Sequence, residues 1–293
     1  AKEKEERIKY LDDLLPFQRQ DFIDIYEVMG TLPVTVRLLD PPLHEFLPHN
    51  DEDIKEIAAS MGKTFEEVKD RINSLHEFNP MLGHRGCRLA ITYPEIYIMQ
   101  VTAIIEAALE LKRKGIEMEP EIMVPLVSTK EELRQIRGEL ENAIENIFEK
   151  KKDRVKYIIG TMIEIPRAAI TADEIAEVAE FFSFGTNDMT QMGFGFSRDD
   201  SGKFLEEYVE KEILKTNPFE TIDQNGIGKF VKIASELGRS TKPELKLGVC
   251  GEHGGDPASV KFFYNLGLNY VSCSPFRIPI AKLSLAQAVL EKQ

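Results

Sequence analysis

The chain has 293 residues, of which 42% are hydrophobic, enough to bury a sizeable core and consistent with one domain of the larger kind over 1–293. A net charge of -13 repels polyanions, which excludes nucleic acid and anionic membrane as general partners. Cys87, Cys250 and Cys273 are widely spaced and lack a CxxC pair, which excludes a disulfide framework and a zinc site and points to a reducing compartment. The charged opening AKEKEERIKYLDDLL has no apolar signal region, and no apolar stretch is long enough to span a bilayer, so the expectation is a soluble, cytoplasmic chain.

In chain order, strand-like runs fall at LPVTVRLLD (32–40), GCRLAI (86–91), EIMVPLVS (121–128), KYIIGTMIEI (156–165), FFSFGTND (181–188), LKLGVCGE (245–252) and NYVSCSP (269–275). Each is short, rich in β-branched or aromatic residues and bounded by turn formers. Helical patterns lie between them. Pro94 opens one that closes on Lys112, Arg113, Lys114 and Gly115, while Ser128 with Glu131 and Thr171 with Glu174 have capping-box spacing. Asp256 before Pro257 supplies an N-cap and a first helical proline. The alternation predicts an α/β fold with a parallel sheet. Residues 51–75 read as two short polar helices inserted in that rhythm, and 195–226 as a long irregular crossover, a plain surface loop or a mobile flap.

In such folds the chemistry gathers at the carboxyl ends of the strands. Glu164 and Asp188 each end an apolar run, and two buried carboxylates facing one another call for a hard divalent cation; the competing reading pairs one with Arg167 or caps a helix. Arg37 suits a carboxylate or phosphate, or an ion pair with Asp40. Arg85 and Arg88 flank Gly86, where one could cradle an anion and at least one reads as structural. Gly185, Thr186 and Asn187 offer compact donors for an oxyanion, although turn formation alone selects the same residue types. Cys250, between Gly248 and Gly251 and close to Glu252 and His253, is either a small hydrophobe or a proton-transfer group. Cys87 and Cys273 read as packing, and no histidine has metal-ligand spacing.

The segments LLDPPLHEFLP, NPMLGHRGCRLAITYPEIYIMQ, GTMIEIPRAA, SFGTNDMTQ and GVCGEHGGDP resemble the carboxy-terminal phosphoenolpyruvate/pyruvate-binding domain of the pyruvate, phosphate dikinase family, from about residue 30 to the end of the chain. That resemblance implies a (β/α)8 TIM barrel. It assigns Glu164 and Asp188 to magnesium, Arg37 to phosphoryl or carboxylate oxygens as a catalytic and substrate-binding group, and Gly185, Thr186 and Asn187 to substrate, with Glu164 and Asp188 each touching both metal and substrate. Cys250 becomes the acid/base at the methyl carbon of pyruvate. It further implies a homodimer and a phosphoryl donor, a phosphohistidine on another domain of the same enzyme, within the conversion of ATP, phosphate and pyruvate to AMP, pyrophosphate and phosphoenolpyruvate. The barrel's opening strand and the nucleotide and histidine domains have no counterpart here, so the chain is expected to be part of a longer enzyme. Two other readings stand beside it: a metal-dependent 2-oxo acid lyase or aldolase, which has no need of Cys250, and a catalytically inactive binding or dimerisation module.

Overall fold

A computed structural model of the chain describes residues 3–48 and 50–291, so Ala1, Lys2, His49, Lys292 and Gln293 of the expected single domain lie outside the described residues. Helix α1 (Lys4–Met29) opens it, with Glu5 and Glu6 in its first turn, where carboxylates oppose the helix dipole. Strand β1 (Val34–Arg37) follows, then α2 (Asp51–Met61) and α3 (Phe65–Leu75), the expected insert with the expected limits. Gly62, left-handed at φ +63°, ends α2, and a Thr64–Glu67 capping box starts α3; the pair encloses a small core of its own, Ile54, Ala58 and Val68.

The GCRLAI segment, expected as a strand, is instead α4 (Gly86–Thr92). Its buried residues Cys87, Leu89 and Ala90 share a helical face, and a six-residue apolar run does not separate strand from helix by period. Next come α5 (Pro94–Arg113), β2 (Pro120–Val124), α6 (Lys130–Lys151), β3 (Ile158–Ile163), α7 (Pro166–Ile170) and α8 (Ala172–Ala176). The capping box of α6 lies one residue further on than expected, at Thr129 with Glu132, and the Ser128 hydroxyl also donates to Glu132. The box expected at Thr171 does not form: the Thr171 hydroxyl donates back to the carbonyl of Arg167 at 3.0 Å. The chain ends with β4 (Phe181–Gly185), α9 (Thr186–Phe194), α10 (Arg198–Glu210), α11 (Ile227–Thr241), β5 (Lys246–Cys250), α12 (Pro257–Asn265), β6 (Tyr270–Val271) and α13 (Ile278–Leu290). The expected irregular crossover is therefore partly helical, since α10 fills its first half from the Ser197 N-cap.

All six strands are parallel and pair in sequence order, β1 to β6. The sheet curls. Lys246 on β5 reaches Glu121 on β2, three strands away, and the same Glu121 accepts from Thr35 on β1 at 2.6 Å. In a flat sheet three ladder spacings are about 14 Å, too far for one side chain. Alternate residues accordingly serve two cores. Ile122, Val124, Ile159, Ile163, Phe182 and Phe184 face the helices, whereas Met123, Met162 and Phe181 form a separate inner cluster against Cys250. Among the described residues the sheet is thus a half-barrel of six strands, not the eight of a closed (β/α)8 barrel. No helix of the described residues is long and apolar enough to cross a membrane.

Candidate active site

The carboxyl ends of the strands bring the expected residues to one place. Glu164 directly follows β3, Asp188 lies in the first turn of α9 after β4, Cys250 ends β5 beside Gly185 in register, and Arg37 ends β1. Glu164 is wholly buried, with Oε1 accepting the Leu126 N–H at 2.6 Å, and its carboxyl lies within hydrogen-bonding reach of Asp188. Burial first, then the charges of Asp188 and Asp40, push the Glu164 pKa well above the carboxylate range. Arg167, the alternative partner, instead donates to the Ser128 carbonyl at 2.7 Å.

One buried cation faces these acids. Arg85 donates through Nη2 to Asp40 Oδ2 at 2.6 Å and to Asp188 Oδ2 at 3.0 Å, and its Nε reaches Asp40 Oδ1 at 3.3 Å. Burial opposes the guanidinium charge, but Asp40 and Asp188 outweigh it and raise the Arg85 pKa. Arg85, left open as anion-binding or structural by sequence, therefore belongs to the carboxylate cluster. Arg88 turns away to the carbonyls of Leu82 and Gly83. Arg37 is 47% exposed and 3.5 Å from Asp40, a loose contact, and its charge acts on Cys250.

Once Glu164 ionises, three carboxylates face one buried guanidinium and the cluster is short of positive charge. Among the described residues no group of three or more His, Cys, Asp or Glu side chains is arranged to hold a metal. Glu164 and Asp188 are oxygen donors of the kind that would suit a hard divalent cation such as magnesium. Gly185 is required beside them. A Cβ there would stand 2.6 Å from Glu164 Oε2, so any side chain would displace the carboxyl group.

Cys250 sits against this cluster, and burial, then the Glu164 charge, pushes its thiol up to about 11, with Arg37 pulling the other way. It is therefore protonated at neutral pH. The Thr186 hydroxyl is not turned to the mouth: the Pro218 carbonyl accepts from Nε2 of His253 at 2.9 Å, so Nδ1 accepts from Thr186 at 2.6 Å. What Thr186 and Asn187 offer is the backbone N–H of the first turn of α9, where intrahelical acceptors are lacking. The Asn187 carbonyl oxygen accepts from Arg198 at 3.1 Å, leaving its amide donors for another partner. Sequence reading named His253 only as a neighbour of Cys250 and missed the Leu126 N–H and Arg198, because their partners lie far off in the chain and meet them only in the fold.

Residues 2–290 match the family described as PEP-utilising enzyme, PEP-binding domain, and the chain belongs to that family. Curated proteins that it resembles include pyruvate, phosphate dikinases, matched in their carboxy-terminal region. It is 57% identical over 290 residues to the pyruvate, phosphate dikinase of Clostridium symbiosum, covering 99% of this chain and 33% of that protein. Against the chloroplastic enzyme of Mesembryanthemum crystallinum it is 56% identical over 287 residues, covering 97% and 30%. For pyruvate, phosphate dikinase 1 of Arabidopsis thaliana the values are 57% over 288 residues, 98% and 30%. The chain spans about a third of the length of these relatives.

Proposed function

We propose that this chain binds pyruvate and phosphoenolpyruvate at the half-barrel mouth and there exchanges a phosphoryl group with a phosphohistidine carried on another domain of the same enzyme. The step belongs to the conversion of ATP, phosphate and pyruvate to AMP, pyrophosphate and phosphoenolpyruvate. The observation that carries this reading is the carboxylate pair Glu164 and Asp188 buried beside a protonated Cys250. The likeness to pyruvate, phosphate dikinases supports it. A lyase reading would leave Cys250 without a task.

Glu164 and Asp188 hold magnesium, which when bound supplies charge stabilisation for an enolate oxygen. Toward pyruvate, the Cys250 thiol gives its proton to the methylene carbon of phosphoenolpyruvate as the enol C=C bond becomes the carbonyl C=O and the phosphoryl group passes to the histidine nitrogen. In the other direction the thiolate takes a methyl proton, and the enolate oxygen attacks phosphorus as the N–P bond breaks. Arg37 neutralises the phosphoryl oxygens, and the N–H groups of Thr186 and Asn187 orient the substrate carboxylate. The exposed apolar side chains of α13, Leu283, Leu285 and Leu290 among them, support a homodimer, to be checked by light scattering.

Calorimetric titration of the purified chain with oxalate, a planar enolate analogue, tests the site. Binding should require magnesium, and Glu164→Gln and Asp188→Asn should each weaken magnesium and oxalate together. Unchanged magnesium affinity in both variants would overturn the proposal.

A further inference from the structure

Leu126 has a left-handed backbone, φ +62°, which a branched side chain rarely adopts. Lys152 and Glu212 share that region but lie at helix ends, where it is an ordinary terminator. Leu126 is wholly buried just beyond β2. Such a conformation persists only where its surroundings over-determine it. Two neighbours at the start of α4 do so. The Cys87 N–H donates to the Pro125 carbonyl at 3.2 Å, and the Cys87 thiol donates to the Leu126 carbonyl at 3.0 Å. Gly86 presses against the same residue: a Cβ there would stand 2.7 Å from Leu126 Cβ and 3.1 Å from Asp40 Oδ1, while the Gly86 N–H donates to the Asp40 carbonyl at 3.0 Å.

The turn so held delivers one group to the site, the Leu126 N–H, 2.6 Å from Glu164 Oε1. We infer that Cys87 is a positioning residue: its thiol fixes the Leu126 backbone so that the N–H anchors one carboxyl oxygen of Glu164 and keeps that carboxyl within reach of Asp188. Burial pushes the Cys87 thiol well up, so it stays protonated and remains a donor. Cys87 is thereby distinct from Cys250, which meets the substrate. The metal consequence rests on the proposed role of Glu164; the geometry does not.

Packing alone predicts that Cys87→Ala, a small change of volume, leaves the Glu164 carboxyl untouched. The clamp predicts otherwise, and two measurements on the purified chain separate them: the Leu126 amide proton in a 1H–15N spectrum, and the affinity for manganese by electron paramagnetic resonance. A short N–H to carboxyl bond places that amide proton downfield in the wild type. Cys87→Ala should move it upfield and weaken manganese binding by ~10-fold, the lower end for an outer-shell partner of a metal ligand. Cys87→Ser, which restores a donor, should recover both. If Cys87→Ala does not fold, Cys87→Val serves, since it fills the volume of the thiol without a donor and should move the same signal. A Leu126 amide and a manganese affinity both at wild-type values in Cys87→Ala would overturn the inference. A wild-type chain that binds no manganese counts against the proposed function, while the amide signal still decides the clamp.

Discussion

Cys250 carries the sharpest expectation for a single residue, because its environment keeps the thiol protonated. With the thiol at about 11, alkylation by iodoacetamide should accelerate through a midpoint near that pH; a midpoint near 8.5, the value of an unperturbed thiol, would contradict the burial. Cys250→Ala should leave oxalate binding intact while exchange of pyruvate methyl protons in deuterated water falls by ~10²–10⁴-fold, the usual contribution of a general acid/base. Cys273→Ala, outside the carboxylate cluster, is the control. Gly185→Ala should act differently, weakening magnesium and oxalate together, since its Cβ would fall 2.6 Å from Glu164 Oε2. Calorimetry on that variant checks it: unimpaired binding would mean that the carboxyl can move aside without loss.

Among the elements, α1 shows what holds the half-barrel's outer layer. It lies on α5 through ion pairs Arg7–Glu95 at 2.5 Å and Arg19–Glu106 at 2.9 Å, and it buries Ile23 and Tyr26. Arg19–Glu106 is partly exposed and contributes little, whereas Arg7–Glu95 is largely buried, so that its attraction is offset by the cost of desolvating both charges; the buried ring is the larger net contribution. Among the described residues the Tyr26 hydroxyl has no hydrogen-bond partner, and burial raises its pKa strongly. Tyr26→Phe should therefore be neutral or stabilising, by up to ~1–3 kcal/mol, the cost of an unsatisfied buried polar group. Tyr26→Ala should lose ~3–5 kcal/mol, as for other large buried rings. Denaturant unfolding of the two variants measures both, and a destabilised Tyr26→Phe would reveal a partner for the hydroxyl. At α6, Thr129→Ala should cost ~1 kcal/mol by removing the capping box.

For the whole molecule the buried Glu164 and His253 tie stability to pH with opposite signs. The raised pKa of Glu164 means that its stabilising contribution is complete below the ordinary 4.5 and is lost as pH rises through the folded value. The His253 pKa is lowered, chiefly by burial and against the Pro218 hydrogen bond, so its contribution is complete above 6.5 and is lost as pH falls below it. The metal-free chain should thus be penalised at both ends. Magnesium, binding the ionised carboxylates, should remove the alkaline penalty and stabilise by ~2.7 kcal/mol at a hundredfold excess over Kd. Thermal unfolding at several pH values, with and without magnesium, gives the test: the increment should grow with pH in the wild type and vanish in Glu164→Gln. Equal increments in both would place the cation elsewhere.

The sequence by itself determined the parallel α/β class, the two helices over 51–75 and the strands that Arg37 and Cys250 end and Glu164 follows, because strand period and turn chemistry are local; the strand expected over 181–188 stops at Gly185, and Asp188 lies in the first turn of α9. It did not separate GCRLAI from a strand, since a short buried run has no period of its own, and it did not place Thr171 or Ser128 correctly, since a hydroxyl can choose between neighbouring backbone groups. Only the tertiary structure decided which charges meet. Arg85 is 103 residues from Asp188 and 45 from Asp40, and the Leu126 N–H is 38 from Glu164. Those pairings follow from the curl of the sheet, which brings successive strand ends to one mouth, and curl is a property of the packed strands together, not of any one segment.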